Sequence, residues 1–354
     1  MDKRYLFAFG MGAASLALGI LVVRMIGLGT ALPPLPPKLI DPPLRSQNLS
    51  GPYTYKNLTL YLVHEGTGFK GKTPLTLEEA MDRNLVVVHE TSSVNRLEIE
   101  NVSPTEEVYV QAGDIVKGGK QDRVLAVDLI VPAHSGRLPL DAFCVEHGRW
   151  TARGIESMDA FNSSTEMVPS KDLKLAAKHS KSQTEVWEKV ESAQGDLSAA
   201  ANTSVSSNVS RSSLQLSLES KEVRANAGEY IEELRSIIAG KDDVVGFVFA
   251  INGEINSADT YTSPELFTKL WPKLLKAASI EAVAESYGTK DSAAPDLDNI
   301  RDFMVFAESA PVTATQTITD RITMITRESS EIVFIESQDR KGNDPWLHRN
   351  YIFK

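Results

Sequence analysis

Two short polar clusters hold the side chains of this chain that are best suited to chemistry. The first is GGKQDR at residues 118–123, and the second is CVEHGRW at residues 144–150. Together they contain a glycine pair, two arginines, an amide, carboxylates, an imidazole and the only thiol of the chain. Such a set could bind an anion or supply acid and base catalysis, so we treat the two clusters as one candidate site.

The first cluster begins with two glycines that invite comparison with a phosphate-binding loop. That loop requires GxxxxGK followed by Ser or Thr, but Asp114 and Gln121 occupy the first and last of these positions. We therefore predict a bend instead. If the chain is extended after the bend, Gln121 and Arg123 share one face and could hold a carboxylate or a phosphate. A surface turn in which Arg123 pairs with Asp114 or Asp122 is the alternative.

The second cluster follows a predicted strand, in which alternate residues share a face. Cys144 and Glu146 would then lie on one face and His147 on the other. A neighbouring carboxylate does not activate a thiol, so we predict that Cys144 is a small buried apolar residue. Glu146 is a candidate for an ion pair with Arg149 or Arg123, and it is also the one candidate catalytic acid or base.

Composition limits the classes of function. The 354 residues are 42% hydrophobic and 24% charged, as in a folded globular protein. The formal net charge of −10 repels phosphate backbones and disfavours nucleic acid as a partner. A single cysteine excludes an intramolecular disulfide and a cysteine-based zinc cluster, and the six histidines show no metal-binding spacing. We predict neither a metal nor a cofactor.

The N-terminal end has the pattern of a membrane segment. Residues 5–23 carry no charge and would span about 28 Å as a helix, close to the hydrocarbon thickness of a bilayer. We predict a transmembrane anchor within residues 1–27, and a cleaved signal segment with a secreted product is the alternative. Residues 28–50 are rich in proline and predict a linker. The basic N-terminal tail favours export of the rest of the chain, to the periplasm or the cell surface.

The remainder is predicted to be an α+β domain at residues 53–290, followed by a β-rich extension at residues 300–354. The domain should have a β-rich first half, with a mixed or antiparallel sheet and several helices packed on it. Asn252-Gly253 predicts a type I′ hairpin turn. Ser263-Pro264 predicts the start of a helix, which Pro272 should bend or restart.

These clusters resemble an uncharacterised bacterial domain family, named for its association with ADP-ribosylglycohydrolases and rhodanese/phosphatase-superfamily proteins. LTLEEA at residues 75–80, QTEVW at residues 183–187 and LWPKLL at residues 270–275 are similar to further segments of that family. The likeness covers residues 53–287. Because the family name records association rather than mechanism, it implies little chemistry. It does imply that Gln121, Arg123, Glu146 and Arg149 line one site, and that the ligand resembles ADP-ribose or is otherwise phosphorylated.

Three functions are compatible with these patterns. The first is a membrane-tethered, non-catalytic binding module for an anionic ligand held by Gln121, Arg123, Glu146 and Arg149. The second is a hydrolase of a phosphorylated or ADP-ribosylated substrate, with Glu146 as acid and base and Arg123 as charge stabiliser. The third is an exported scaffold in which the polar clusters serve only as turns and ion pairs. The sequence favours the first.

Overall fold

The computed structural model of the chain describes residues 48–65, 71–151, 153–154, 156–286, 292–342 and 346–354. The predicted anchor at residues 5–23 lies outside these ranges, so membrane attachment stays a prediction. Our expected fold class included a transmembrane helix, and the described helices do not supply one. None of them is long and apolar enough to cross a bilayer.

The described chain is α+β, and its strands and helices follow one another in blocks rather than in regular alternation. The strands are β1 (Asn48–Tyr55), β2 (Leu58–His64), β3 (Leu75–Thr76), β4 (Val86–Ser93), β5 (Arg96–Asn101), β6 (Val108–Val110), β7 (Ile115–Gly118), β8 (Arg123–Leu125), β9 (Leu129–Val131), β10 (Gly136–Cys144), β11 (Phe161–Asn162), β12 (Val244–Ile251), β13 (Glu254–Tyr261), β14 (Val312–Thr317), β15 (Ile322–Glu328), β16 (Ile332–Asp339) and β17 (His348–Phe353). The helices are α1 (Leu77–Asp82), α2 (Lys171–Lys174), α3 (Gln183–Ala201), α4 (Leu214–Leu218), α5 (Lys221–Leu234), α6 (Pro264–Ala284) and α7 (Leu297–Ser309). A π-helical turn, Leu175–Ser180, continues α2, and a 3₁₀ turn, Arg235–Ile238, continues α5.

The largest sheet has eight strands in the order β1-β2-β12-β13-β17-β16-β15-β14, and every neighbouring pair is antiparallel. Strand β12, an interior strand of this sheet, has the sequence VVGFVFAI and is buried at every position. The turn between β12 and β13 places Asn252 at φ 55° and Gly253 at φ 80°. These positive angles confirm the predicted hairpin turn.

The expected β-rich first half is present, as β1 to β11 all lie before residue 163, but this sheet corrects the expected separate C-terminal extension. Strand β17 pairs directly with β13, with Tyr261 opposite His348. Strands β14, β15 and β16 complete the same sheet, together with β1 and β2 from the start of the described chain. The prediction was wrong because strand patterns show where strands are and not which distant strands they join.

A second, antiparallel sheet of six strands has the order β11-β7-β8-β10-β5-β4, and a small third sheet has the order β3-β6-β9. The second sheet positions both polar clusters. Strand β8 begins at Arg123, β10 ends at Cys144, and these two residues lie opposite each other in the antiparallel register. The first cluster therefore enters the sheet at the end where the second cluster leaves it.

Helix α6 packs on β12 and lies along the core. Ser263 is its N-cap and accepts the amide of Leu266 at 3.1 Å, which confirms the predicted start. The helix runs through Pro272 without restarting. Burial of Phe267 and Trp271 on the same helix outweighs the proline penalty of about 3 kcal/mol.

Candidate functional site

The glycine pair forms the bend between β7 and β8. Gly118 and Gly119 have φ angles of 112° and 53°, a region that favours glycine. A Cβ atom on Gly119 would also overlap the ring of Phe161. The predicted bend is confirmed, and it directs the next residues into the protein interior.

Asp122 is the centre of a buried polar network behind this bend. Its carboxylate is fully buried and accepts hydrogen bonds from the amide of Gly118 at 3.0 Å and the hydroxyl of Ser213 at 2.9 Å. It also accepts hydrogen bonds from both terminal nitrogens of Arg153, at 2.8 and 3.0 Å. Because Ser213 is the N-cap of α4, Asp122 links the bend, the loop after β10 and that helix.

Glu146 is the second buried carboxylate of the network. One oxygen accepts the amide of Asp122 at 3.1 Å, and the other lies 2.8 Å from Nε of Arg149 and 3.8 Å from Arg153. The outer nitrogens of Arg149 donate to backbone carbonyl groups, including that of Gly118 at 3.2 Å. The predicted ion pair between Glu146 and Arg149 is therefore present.

Gln121 and Arg123 complete the cluster, and both are fully buried. The amide of Gln121 donates to the backbone carbonyl of Glu146 at 2.8 Å. Arg123 donates to the backbone carbonyl of Gln121 at 3.2 Å and lies 3.4 Å from the carboxylate of Glu90 on β4. Its ion-pair partner is thus Glu90 rather than Asp114 or Asp122, because β4 lies in the same sheet.

The four predicted site residues therefore lie together, but they face inward. Gln121, Arg123 and Glu146 are 0% exposed, and the side chain of Arg149 is 9% exposed. Their polar groups mainly contact one another and the backbone. Direct contact of any of them with a ligand stays a prediction.

A basic pocket of about 490 Å³ lies on the outer side of this cluster. Arg149 and Arg153 form part of its wall, and His147 and Arg211 complete the set of cationic or titratable side chains. No carboxylate is among the described residues that line it. The buried network thus presents its arginines, and not its acids, to the pocket.

The three arginines of this basic pocket differ in the hydrogen-bond donors they have left. All five N–H groups of Arg153 are used by Asp122, Glu156 and Ser213. Arg149 donates to three backbone carbonyl groups through its outer nitrogens, and its Nη2 also lies 3.7 Å from Asp122. Arg211 is exposed and forms no ion pair with any residue in the described ranges.

Arg211 is consequently the side chain best placed to meet a ligand, and the sequence did not point to it. It lies in a serine-rich loop before α4, far along the chain from the two clusters. The loop is held at the site by Ser213, which donates to Asp122 at 2.9 Å, and by Ser212, whose hydroxyl accepts from the amide of His147 at 3.1 Å and donates to its carbonyl at 2.6 Å.

Cys144 is confirmed as a buried residue. Its side chain is 0% exposed, and burial raises the pKa of the thiol to about 11. The backbone of Cys144 is held by the side chain of Gln183, which accepts its amide at 2.8 Å and donates to its carbonyl at 2.9 Å. Burial and the carboxylates of Glu90 and Glu146 outweigh the opposing charge of Arg123, so the thiol is not activated as a nucleophile at neutral pH.

A second buried cluster, which the sequence patterns did not predict, surrounds His348 on β17. Its Nδ1 lies 2.8 Å from Asp128 and its Nε2 lies 3.0 Å from Asp259, so both ring nitrogens face carboxylates. Burial opposes the imidazolium charge, but the two carboxylates outweigh it and raise the pKa of His348. Ser337 on β16 donates to Asp128 at 2.6 Å. The cluster joins β13, β16 and β17 to the loop between β8 and β9.

No group of side chains in the described ranges is arranged to hold a metal ion. The side chains that line the basic pocket offer hydrogen bonding and ion pairing, above an interior network whose charges largely cancel.

The fold and the paired polar clusters define an α+β domain built around an internal arginine–carboxylate network. A family model, the ARG and Rhodanese-Phosphatase-superfamily-associated Protein domain, matches residues 47–351. The chain belongs to this family, which confirms the resemblance. The match reaches into β17, as expected if the C-terminal strands are part of the same sheet. Searches of curated proteins and of solved structures each returned no match.

Proposed function

We propose that the domain binds a small anionic ligand, such as a phosphorylated or ADP-ribose-like molecule, at the basic pocket, and does not transform it. One observation carries the proposal. The pocket wall has three arginines and a histidine but no carboxylate among its described residues, although the chain as a whole has a formal charge of −10. A positive site on a negative protein favours an anionic ligand.

In this proposal the buried cluster serves as the framework of the site. Asp122 and Glu146 fix the guanidinium planes of Arg153 and Arg149 by contacts of 2.8 Å each. Fixed donors lose little conformational entropy when a ligand binds. Arg211 then supplies the direct contact, which is worth about 1.5–3 kcal/mol when the acceptor is charged.

The family name gives associational support for the class of ligand. The association with ADP-ribosylglycohydrolases makes ADP-ribose a reasonable first probe, because its diphosphate has the charge that the arginines suit. This support concerns only the proteins with which the family is associated, whereas the physical argument for an anionic ligand comes from the residues of the basic pocket.

The hydrolase alternative has less support from the geometry. A general acid or base must come within about 3 Å of its substrate. Glu146 is 0% exposed, and its two oxygens already face the amide of Asp122 and the side chain of Arg149. The scaffold alternative uses the same buried network and differs from our proposal in requiring no ligand.

A ligand panel separates these three functions. ADP-ribose, AMP and pyrophosphate would be titrated calorimetrically into the purified protein at low salt, and the mixtures would then be analysed chromatographically for products. We expect saturable binding of at least one compound and its recovery unchanged. Turnover that Glu146→Gln abolishes would favour the hydrolase, and the absence of any binding in the panel would favour the scaffold.

A further inference from the structure

A second pocket, of about 330 Å³, lies where three helical segments meet. The segments are the start of α2, the middle of α3 and the C-terminal end of α6. Leu197 and Ile280 contribute apolar wall, whereas Glu281 and Glu285 line it from α6. Glu285 is the C-cap residue of α6 and lies four residues after Glu281, so the two glutamates are neighbours and repel each other.

Glu281 has an incomplete set of partners. The residue is 3% exposed, and its Oε1 accepts the amide of Lys171 at 2.8 Å and the side-chain amide of Asn256 at 3.0 Å. Its Oε2 is buried without a hydrogen-bond donor among the described residues. Leaving a buried carboxyl oxygen without a hydrogen-bond partner is unfavourable, and such an atom indicates a site that another group completes.

The charges around this pocket also favour a cation. Its lining has four carboxylates, namely Asp172, Asp196, Glu281 and Glu285, against two ammonium groups. One of those, on Lys189, is already paired with Asp172 at 2.8 Å. The last turn of a helix attracts positive charge as well, and both glutamates lie at that end of α6.

Desolvation, together with Glu281, raises the pKa of Glu285 to about 7. A bound cation would relieve the repulsion between the two carboxylates. A metal ion is the less suitable occupant, because the described residues contain no group of side chains arranged to hold one.

We propose that this helical pocket binds a small aliphatic amine, with its ammonium group at Glu281 and Glu285 and its alkyl chain against Leu197 and Ile280. The ammonium group supplies three N–H donors, which suit the vacant oxygen of Glu281. The site is separate from the basic pocket in position and in charge, so the proposal does not depend on the proposed function.

The test compares n-butylamine hydrochloride with n-butanol, which has a similar chain and no charge. Binding to the full chain would be measured by ligand-observed NMR titration at pH 7.5. We expect the amine to bind with a dissociation constant on the order of a millimolar or tighter, and the alcohol to bind at least tenfold more weakly.

Two variants on the same helix provide the control. Glu285→Gln should weaken amine binding at least fivefold, whereas Glu265→Gln in the first turn of α6 should leave it unchanged. Glu265 is a suitable control because its side chain is 66% exposed and the same charge is removed. Both variants are surface changes, so circular dichroism should show an unchanged fold. Equal affinity for amine and alcohol, no detectable binding, or an equal effect of both variants would overturn the proposal.

Discussion

Replacement of Asp122 by asparagine should destabilise the domain strongly, because it removes the centre of the buried network. The substitution keeps the volume of the side chain but removes its charge. Arg153, with a side chain that is 7% exposed, would then lack the carboxylate that now meets its two terminal nitrogens. An asparagine amide group would also face the donors of Arg153 or Ser213 where an acceptor is required.

The size of this effect follows from the burial of both partners. Breaking a buried ion pair by removing one partner costs about 3–5 kcal/mol, a large part of the roughly 5–15 kcal/mol that stabilises a typical domain. The free energy of unfolding would be measured by urea denaturation, monitored by circular dichroism. Asp298→Asn is the control, because Asp298 also pairs with an arginine but its side chain is 87% exposed. That exposed pair should contribute no more than about 1 kcal/mol.

A double variant tests whether Asp122 acts through Arg153. Adding Arg153→Gln to Asp122→Asn should cost less than the sum of the two single changes, by about 1–3 kcal/mol, because the contact between the two side chains is lost only once. If Asp122→Asn were no more destabilising than Asp298→Asn, the network would not be what holds the bend, the loop and α4 together.

Three further predictions concern other parts of the fold. His348→Gln should be less stable than the wild type at pH 6, with a smaller difference at pH 9. The raised pKa of His348 gives stability that is present below about pH 6.5 and is lost as pH rises through the folded pKa. Urea unfolding at both pH values measures the difference in the free energy of unfolding, and the same difference at both pH values would refute the prediction. Cys144 should resist a chromogenic thiol reagent at pH 8 in the native state and react fully in urea, because burial raises its pKa to about 11. Absorbance of the released chromophore measures the extent of the reaction, and rapid labelling of the native protein would contradict the prediction. Gly119→Ala should lower the free energy of unfolding by about 1–3 kcal/mol, since the added Cβ meets the ring of Phe161 at a positive φ; an unchanged urea midpoint would contradict it.

Local features of the fold were predictable because each depends on a few neighbouring residues. The hairpin turn at Asn252-Gly253, the helix start at Ser263 and the bend at Gly118-Gly119 follow from the backbone preferences of those residues. The ion pair between Glu146 and Arg149 was also predictable, because three positions separate the two residues in the chain.

Features that depend on distant pairing were not predictable from local patterns. Strand β17 pairs with β13, and this brings His348 between Asp128 and Asp259. Neither its spacing nor its neighbours in the chain indicate those partners. The same reason explains why Glu90 was missed as the partner of Arg123 and why Arg211 was missed at the basic pocket. Each comes from an element that only the tertiary fold places there.

The central claim is that Arg211 binds an anionic ligand at the basic pocket, and the dissociation constant for ADP-ribose in matched arginine variants tests it most directly. Calorimetric titration would compare the wild type, Arg211→Gln and Arg96→Gln at low salt. Arg96 is exposed on β5 and does not line the basic pocket, so its substitution removes the same charge elsewhere.

We expect Arg211→Gln to weaken binding roughly tenfold, which corresponds to the loss of one charge-assisted contact. Arg96→Gln should bind as the wild type does, and added salt should weaken binding to the wild type. Equal affinities for all three proteins, or an equal loss in both variants, would contradict the claim.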